Sequence, residues 1–242
     1  MRMTKFGYLE LCFTAALALN VLVWFYARDI SARWLNVPPV PSSVSASGAA
    51  LGDQQFAYRS IGIMLQNLGD TGGRSTPLKN YDYKRLSGWF NLMDTLDPQA
   101  RFAPFLAAFY FGVVEAPEKL PPLVDYLAMV GQRSGVENWR WLAHAIFIVR
   151  WQMHDLDKAL ALSYKLAALN EPDLPLWARQ MPVFVLNAKG DKAEAKSMML
   201  QILQTSADTM NPNELNFTKD YICSRLLDAQ QAAQTALCSS QK

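Results

Sequence analysis

The sequence predicts an all-α protein in which an N-terminal transmembrane helix is followed by a right-handed α-solenoid of helical hairpins. Three observations lead to this prediction. Residues 6–27 form a nearly unbroken apolar stretch. From Asp53 onward helical periodicity dominates, and the alternating runs typical of strands are scarce. Breaks at proline and glycine recur about every 36 to 40 residues, which is the length of a helical-hairpin repeat.

Composition excludes several classes of function. The chain has 242 residues, with 23 Lys and Arg against 21 Asp and Glu, so its net charge is +2. This balance excludes a disordered polyelectrolyte and a basic nucleic-acid binder. Three cysteines and two histidines are too few for a zinc cluster, an iron–sulfur site or a disulfide-stapled small fold, so no metal or cofactor is expected.

The apolar stretch has the length of a membrane span. Its 21 residues from Phe6 to Tyr26 would rise about 32 Å as a helix. A cleaved signal peptide is the alternative, but no small-residue cleavage motif directly follows Tyr26. We therefore predict an uncleaved anchor over 6–27, through which the chain contacts the membrane.

The flanking charges indicate an orientation. Lys and Arg number two on each side, and only the free amino terminus adds positive charge to the first side. We predict a cytoplasmic tail at residues 1–5 and a single pass through a bacterial inner membrane. The C-terminal domain would then lie in the periplasm.

Two polar residues interrupt the span. An unpaired amide near the hydrocarbon centre is costly, so Asn20 and, closer to the headgroups, Glu10 are candidate contacts to another membrane helix. The alternative is that a single spanning helix tolerates both.

A change of composition follows the anchor. Residues 28–52 contain Pro38-Pro39-Val40-Pro41 and then a stretch rich in Ser, Ala and Gly. Proline extends a chain and small residues loosen it, so this segment is predicted to be a juxtamembrane linker. The helical-repeat body then occupies residues 53–242.

Periodicity and its breaks place the elements of the body in order. Single helices are expected over 54–68 and 83–95. Three hairpins follow, pairing 99–113 with 121–132, 138–152 with 156–169, and 175–188 with 191–205, and a helix over 213–235 caps the stack. Pro104 and Pro182 should kink their helices or delay their starts.

Two of these hairpins share a turn. Ala159, in His154-Asp155-Leu156-Asp157-Lys158-Ala159, lies 36 positions before Ala195, in Gly190-Asp191-Lys192-Ala193-Glu194-Ala195. With a later proline, this turn resembles the tetratricopeptide family over residues 138–212, although the family's Trp-x-x-Leu-Gly-x-x-Tyr start is absent. The resemblance implies a degenerate helical-repeat protein, and such proteins usually bind proteins or peptides and seldom catalyse.

Aromatic and basic residues at helical spacing are candidate partner contacts. Tyr83, Arg85 and Trp89 belong to the residue types that interfaces favour. The alternative is that Trp89 belongs to a core face with Phe90, while the charged side chains point to water.

Arg140 and Arg150 form a second candidate pair, because each is adjacent to a tryptophan. Guanidinium groups stacked on indoles are good docking points for carboxylates or other anions. The alternative is that these Arg–Trp pairs lie within the packing of the repeat.

The aromatic run over 102–111 has the spacing of a helix core, which favours core packing over a cofactor or lipid contact. The run consists of Phe102, Phe105, Phe109, Tyr110 and Phe111. His144 and His154 are likewise interpreted as structural, since no carboxylate cluster accompanies them.

The remaining chemistry does not indicate an enzyme. The glycine-rich loop over 67–77 lacks the Gly-Lys-Ser/Thr ending of a phosphate-binding loop, and the sequence has no nucleophile elbow. Cys223 and Cys238 either pair, outside the cytoplasm, to pin the final helix to the tail or remain free thiols.

Together these observations predict a membrane-anchored adaptor or scaffold that binds an unidentified protein partner and supports assembly or stability of a bacterial envelope complex. The alternative is an accessory subunit of a larger inner-membrane complex, docked through its transmembrane helix. No nucleic-acid partner is expected.

Overall fold

The computed structural model describes residues 5–28, 37–71 and 74–239. These residues are all-helical apart from one antiparallel pair of two-residue strands, β1 at Asp70–Thr71 and β2 at Arg74–Ser75. The all-α class predicted from the sequence is confirmed. The chain divides into two compact units, Met1–Leu35 and Asn36–Lys242.

The first unit contains helix α1, Lys5–Ala27. Its stretch Gly7–Ala27 is 21 residues long, is apolar enough to cross a membrane and is not buried within the protein. The structure therefore confirms one N-terminal apolar helix of membrane-spanning length at the predicted position. Of the tail predicted at 1–5, only Lys5 lies within the described residues.

The second unit is a succession of helices that contact one another in chain order. Its helices are α2 Ser43–Ala49, α3 Gln54–Gln66, α4 Tyr83–Leu96, α5 Phe102–Phe105, α6 Pro121–Gly131, α7 Trp139–Phe147, α8 Leu156–Ala167, α9 Leu176–Arg179, α10 Met181–Lys189, α11 Lys192–Ser206, α12 Pro212–Tyr221, α13 Ala229–Gln234 and α14 Ala236–Ser239. Short 3₁₀ turns lie at Leu78–Asn80, Pro117–Lys119 and Ala207–Thr209. Contacts join α3 to α4, α4 to α6, α6 to α7, α7 to α8, α8 to α10, and α10 to α11.

Three helices end in a wider, π-helical turn. α5 continues through Leu106–Tyr110 and then a 3₁₀ turn at Phe111–Val113, α7 continues through Ile148–Gln152, and α12 continues through Ile222–Leu226.

The same kind of backbone hydrogen bond closes three helices, α7, α10 and α12. Backbone amides five residues downstream donate to the carbonyl oxygens of Ile148, Leu186 and Ile222 at 3.1, 3.0 and 3.1 Å. The second of these bonds ends α10, where Gly190 adopts a left-handed conformation. The three acceptors lie 38 and 36 residues apart.

Two predicted helices are divided, and the first division confirms the break predicted at Pro182. The helix predicted over 175–188 is divided at Gln180 into α9 and α10, because Pro182 lacks an amide hydrogen and occupies the first turn of α10. The helix predicted over 213–235 ends at Leu226, after which Leu227 is extended and Asp228 caps α13.

Small residues allow the helices to pack closely. Ala159 in α8 and Ala195 in α11 are fully buried. Gly131, at the end of α6, faces the backbone of Leu142 in α7 so closely that a Cβ atom would not fit. This packing fixes the positions of α7, α10 and α12, whose exposed side chains form the site considered next.

The predicted linker over 28–52 is partly an ordered element of the body. Val37 is fully buried, and Ala46 and Ala50 are buried where α2 contacts α3 and α4. We call residues 37–50 the juxtamembrane segment. The expectation of a loose spacer is wrong for this segment, because its few apolar side chains find a place in the core; residues 29–36 lie outside the described part of the chain.

Candidate protein-binding surface

Two of the three candidate contacts on α4 lie in the interior. Tyr83 is buried, and its hydroxyl donates a hydrogen bond to the carbonyl oxygen of Phe111 at 2.9 Å. Trp89 is also buried, and its indole N–H donates to the carbonyl oxygen of Pro38 at 2.9 Å. Both side chains are covered by the protein itself. The alternative prediction, that Trp89 belongs to a core face, is therefore correct.

The third candidate, Arg85, also contacts the chain itself. It pairs with Asp82 at 3.4 Å, and its Nη1 donates to the carbonyl oxygen of Val37 at 3.4 Å. Two of the residues predicted as partner contacts on α4, Arg85 and Trp89, therefore hold the juxtamembrane segment, whereas Tyr83 holds the carbonyl group of Phe111.

Arg140, at the start of α7, is exposed but is engaged with neighbouring groups. Its guanidinium lies 4.9 Å from the ring centre of Trp139 and pairs with Glu137 at 2.7 Å. Glu137 also pairs with Arg101 at 2.9 Å. The two arginines hold the pKa of the Glu137 carboxyl below its usual range.

Arg150 lies in the π-helical extension of α7. Its guanidinium carbon is 4.6 Å from the ring centre of Trp151. Within the described part of the chain no ion pair to Arg150 is found. It borders a groove, where it is the cationic side chain among mostly apolar ones.

This groove, of about 360 Å³, lies between α7, α10 and α12. The larger apolar side chains that line it are Phe147, Trp151, Met181, Phe184, Phe217 and Tyr221. Phe147, Trp151 and Phe217 are 50, 56 and 49 % exposed. These half-exposed aromatic side chains make the groove a candidate interaction site.

Helical spacing and ring contacts fix the groove in place. Phe217 and Tyr221 are four residues apart on α12 and so share a face. The ring of Phe184 lies 6.1 Å from that of Phe217 and 5.0 Å from that of Tyr221, both edge to face. The amide of Asn187 donates to the Tyr221 hydroxyl at 2.9 Å, which orients this ring.

A buried polar contact joins the two helices that form one wall. Nε2 of Gln180, just before α10, donates to the hydroxyl of Thr218 in α12 at 2.8 Å, and both side chains are buried. Burying an amide is tolerated because it is hydrogen-bonded. The wall is thus held by a specific contact in addition to apolar packing.

The dimensions indicate what the groove can take. Pockets that bind ligands typically measure roughly 300–1,000 Å³, so a volume of about 360 Å³ accommodates a few side chains of a peptide or helix. The aromatic walls favour apolar side chains, and Arg150 at the edge favours a carboxylate beside them.

The aromatic run over 102–111 is mostly on the surface. Phe111 is fully buried, whereas Phe102, Phe105 and Phe109 are 37, 48 and 52 % exposed. The prediction of helix core is therefore right only for Phe111. The buried side of this helix is occupied by smaller residues, Leu106, Ala107 and Ala108. We call Phe102, Phe105, Phe109 and the exposed Val113 the aromatic ridge.

His144 lies between the ridge and the groove. Its ring is 4.6 Å from that of Phe109 and 5.8 Å from that of Phe147, and its Nε2 is 3.1 Å from the carbonyl oxygen of Ala108. Burial lowers the pKa of the imidazole below its usual value. These contacts give His144 a structural role.

Glu10 and Asn20 are the two candidate contacts in α1, and the amide of Asn20 is hydrogen-bonded within the helix. The amide Nδ2 of Asn20 donates to the carbonyl oxygen of Ala16 at 3.1 Å, one turn earlier in the same helix. Glu10 and Asn20 both lie on the exposed surface of α1. The internal hydrogen bond of Asn20 lowers the cost of leaving its amide in hydrocarbon without a partner helix.

Cys223 and Cys238 form a disulfide, with their Cα atoms 5.7 Å apart. The bond ties the π-helical end of α12 to α14. The sequence left open whether these two cysteines pair or remain free thiols, and in the structure they are paired. Among the described residues, no group of three or more His, Cys, Asp and Glu side chains is arranged to hold a metal ion.

Comparison of the chain with protein families, with curated proteins and with solved structures gives no match.

Arg150 and the adjacent Trp151 could be predicted from the sequence, whereas the other aromatic walls of the groove could not. One signal was present in α12, whose sequence is mostly polar yet carries Phe217 and Tyr221 on one face. An apolar pair on a polar helix either packs against the rest of the protein or stays exposed. The sequence does not distinguish these two cases, because the answer depends on how α12 packs beside α10.

Proposed function

We propose that the chain is a membrane-anchored helical-repeat adaptor that binds a protein partner in the groove between α7, α10 and α12. Through that partner it would support the assembly or stability of a bacterial envelope complex. The observation that carries this proposal is the groove, in which half-exposed Phe147 and Trp151 of the α7 segment meet Phe217 of α12 beside Arg150. Aromatic anchors and arginine are the residue types that dominate binding at protein interfaces.

The body would be a right-handed solenoid of tetratricopeptide-like hairpins. Three observations support this. Helices contact one another in chain order. Ala159 and Ala195, the small residues of the shared turn, are fully buried. The carbonyl groups that close the first helices recur after 38 and 36 residues. In such a stack the first helices line one face, and α7, α10 and α12 are the helices that form the groove.

The disulfide and α1 support the proposed compartment. Disulfides persist in oxidising compartments such as the bacterial periplasm, so the pairing of Cys223 with Cys238 favours a body outside the cytoplasm. α1 is long enough for a single pass. A cleaved signal sequence would give the same compartment without an anchor, and resistance of the full-length chain to alkaline extraction from membranes distinguishes the two.

The test is site-specific photocrosslinking in native membranes. A photoreactive phenylalanine analogue replaces Trp151 in the groove, and a control probe replaces Phe56, which is 56 % exposed on α3 and does not line the groove. We expect a discrete protein adduct from position 151 that is absent from position 56. Adding Arg150→Glu should reduce the yield of that adduct, because the charge facing the partner is reversed.

The competing hypothesis is an accessory subunit docked through α1. A probe beside Asn20 and an exchange of α1 for an unrelated apolar helix address it directly. An adaptor should keep its position-151 adduct after the exchange. Loss of the complex on exchange, with capture only from the probe beside Asn20, would replace the adaptor by the accessory subunit.

A further inference from the structure

The wall of the groove that α12 forms lies close to the C-terminal end of the helical body. The chain beyond it adds only short helices, α13 with six residues and α14 with four. Contacts join α12 to α11 and to α14. We call residues 228–239 the C-terminal segment. The order of the wall that carries Phe217 and Tyr221 therefore depends in part on how this segment is held.

A small core of buried side chains lies beneath α12 and is distinct from the main core of the body. It is formed by α10, α11 and the π-helical end of α12 together with the residue that follows it. Its members are Val183, Leu186, Ala195, Met199, Ile222, Leu226 and Leu227. Ala232, Leu237 and Cys238 of the C-terminal segment are partly buried against it. The segment thus completes the core on which the wall rests.

Apolar packing alone holds the C-terminal segment weakly. Among its described side chains none is fully buried. Helices of four and six residues are far too short to be stable by themselves. The disulfide between Cys223 and Cys238 joins the segment covalently to the π-helical end of α12. This bond therefore contributes much of what fastens the segment to the small core.

The disulfide acts on the side of α12 that faces away from the groove. No described side chain of the C-terminal segment lines the groove. On the groove side, Thr218 and Tyr221 contact Gln180 and Phe184 of the neighbouring chain. Release of the segment would uncover part of the small core, and α12 would keep only its contacts to α10 and α11. Loss of cover on one side makes local opening of a helix more frequent.

The sulfur atoms can exchange with an external partner, because Cys223 and Cys238 are both partly exposed. In oxidation, one thiolate attacks the disulfide of a donor and the other thiolate resolves the mixed disulfide. The two cysteines lose two electrons and two protons, one S–S bond forms in this chain, and one S–S bond breaks in the donor, which leaves as a dithiol. A dithiol reductant reverses the reaction.

From these observations we propose that the Cys223–Cys238 disulfide controls partner binding in the groove. Oxidation by a dithiol–disulfide oxidant fastens the C-terminal segment and orders the α12 wall, whereas the dithiol form has a loosened wall and binds weakly. The groove then becomes competent only when the body has reached an oxidising compartment. This inference rests on the proposed function of the groove.

The first measurement is amide hydrogen exchange, read by mass spectrometry on full-length protein in detergent. A Cys12→Ser background leaves Cys223 and Cys238 as the only cysteines. We expect exchange over 212–221 in α12 to be roughly tenfold faster after reduction with dithiothreitol, and exchange over 139–147 in α7 to stay unchanged. Cys223→Ser with Cys238→Ser in the same background should exchange like the reduced protein, with or without reductant. Equal exchange of α12 in the oxidised and reduced parent overturns the inference.

The second measurement is the yield of the photoadduct from the probe at position 151 in native membranes. Reduction of the Cys12→Ser protein should lower this yield at least about threefold, because fewer molecules have an ordered wall. The double serine variant should give the low yield in both conditions. An equal further loss in that variant places the effect of the reductant elsewhere and overturns the inference.

The two measurements separate this inference from the adaptor proposal. A full adduct yield from reduced protein leaves the adaptor standing and overturns redox control. Absence of an adduct from oxidised protein overturns the adaptor itself, and with it the control of its binding, even where α12 still responds to reduction in the exchange measurement.

Discussion

The indole N–H of Trp89 donates a hydrogen bond to the carbonyl oxygen of Pro38 at 2.9 Å, and this bond fastens the juxtamembrane segment to α4. Arg85, one turn earlier, donates to the neighbouring carbonyl of Val37. A proline-rich stretch has few amide hydrogens of its own, so its carbonyl groups depend on donors from elsewhere. The side chains that looked like partner contacts in the sequence thus bind a segment of the same chain.

Replacing Trp89 by Phe tests this bond. The substitution removes the donor to Pro38 and also reduces the size of a buried side chain, so we expect the free energy of unfolding to fall by roughly 2–3 kcal/mol. Denaturant unfolding of the full chain in detergent gives the value. Trp177→Phe, at a tryptophan that is 42 % exposed, is the matched control and should change little. Equal effects of the two variants would mean that the hydrogen bond does not stabilise the juxtamembrane segment.

Gly131→Ala tests the close approach of α6 to α7. The added methyl group would collide with backbone and side-chain atoms of Leu142, and overpacking of this kind costs roughly 1–3 kcal/mol. Gly48→Ala is the control, because Gly48 lies in α2 with no atom within 4 Å of the new methyl group. Thermal unfolding should show a lower midpoint for the first variant and an unchanged or slightly higher one for the second. If both midpoints stay the same, the two helices are not packed as closely as described.

Much of the fold could be predicted from periodicity alone. The helix predicted over 83–95 is α4, Tyr83–Leu96, and the helix predicted over 156–169 is α8, Leu156–Ala167. Both begin after an Asp whose side chain accepts backbone amide hydrogens, which is a signal carried by the residue itself. Local rules of this kind are enough to place helices in the sequence.

The candidate site could not be predicted in the same way. Phe105 and Phe111 have the same side chain and lie in one helical segment, yet Phe105 is half exposed and Phe111 is fully buried. Periodicity shows which residues share a face, but only the neighbouring helices decide which face is covered. The juxtamembrane segment shows the opposite difference between sequence and structure. Its composition predicts a loose, exposed chain, yet Val37 is buried in the core.

Removal of the disulfide should destabilise the C-terminal helices. Cys223 and Cys238 are 15 residues apart, and opening a loop of that length costs about 3 kcal/mol in the chain-entropy account. We expect Cys223→Ser with Cys238→Ser to lower the thermal midpoint and to expose α12–α14 to proteolysis. Cys12→Ser alone, at an exposed thiol in α1, should leave the midpoint unchanged. A double variant as stable as the parent would show that packing alone holds these helices.

His144 should make the stability depend on pH. Burial lowers its pKa in the folded protein below the ordinary value of 6.5. The unfolded chain therefore binds a proton more readily, so this contribution is complete above about pH 7 and is lost as the pH falls below 6.5. The difference in unfolding free energy between pH 7.5 and pH 5.5 should be smaller in His144→Gln than in the parent. The same difference in both proteins would show that the imidazole is as accessible to protons in the folded state as in the unfolded chain.

Phe217→Ser should weaken partner binding with little effect on folding. Phe217 is 49 % exposed and lines the groove together with Phe147, so its loss removes an apolar contact that a bound partner would cover. Truncation of an aromatic anchor commonly costs more than about 1 kcal/mol of binding free energy, which corresponds to a loss of affinity of roughly fivefold or more. The yield of the adduct from the probe at position 151 measures this loss, and circular dichroism shows whether the helices persist. Phe56→Ser removes an equally exposed phenylalanine outside the groove and should keep the yield intact. If both substitutions lower the yield equally, general surface hydrophobicity, rather than the groove, recruits the partner.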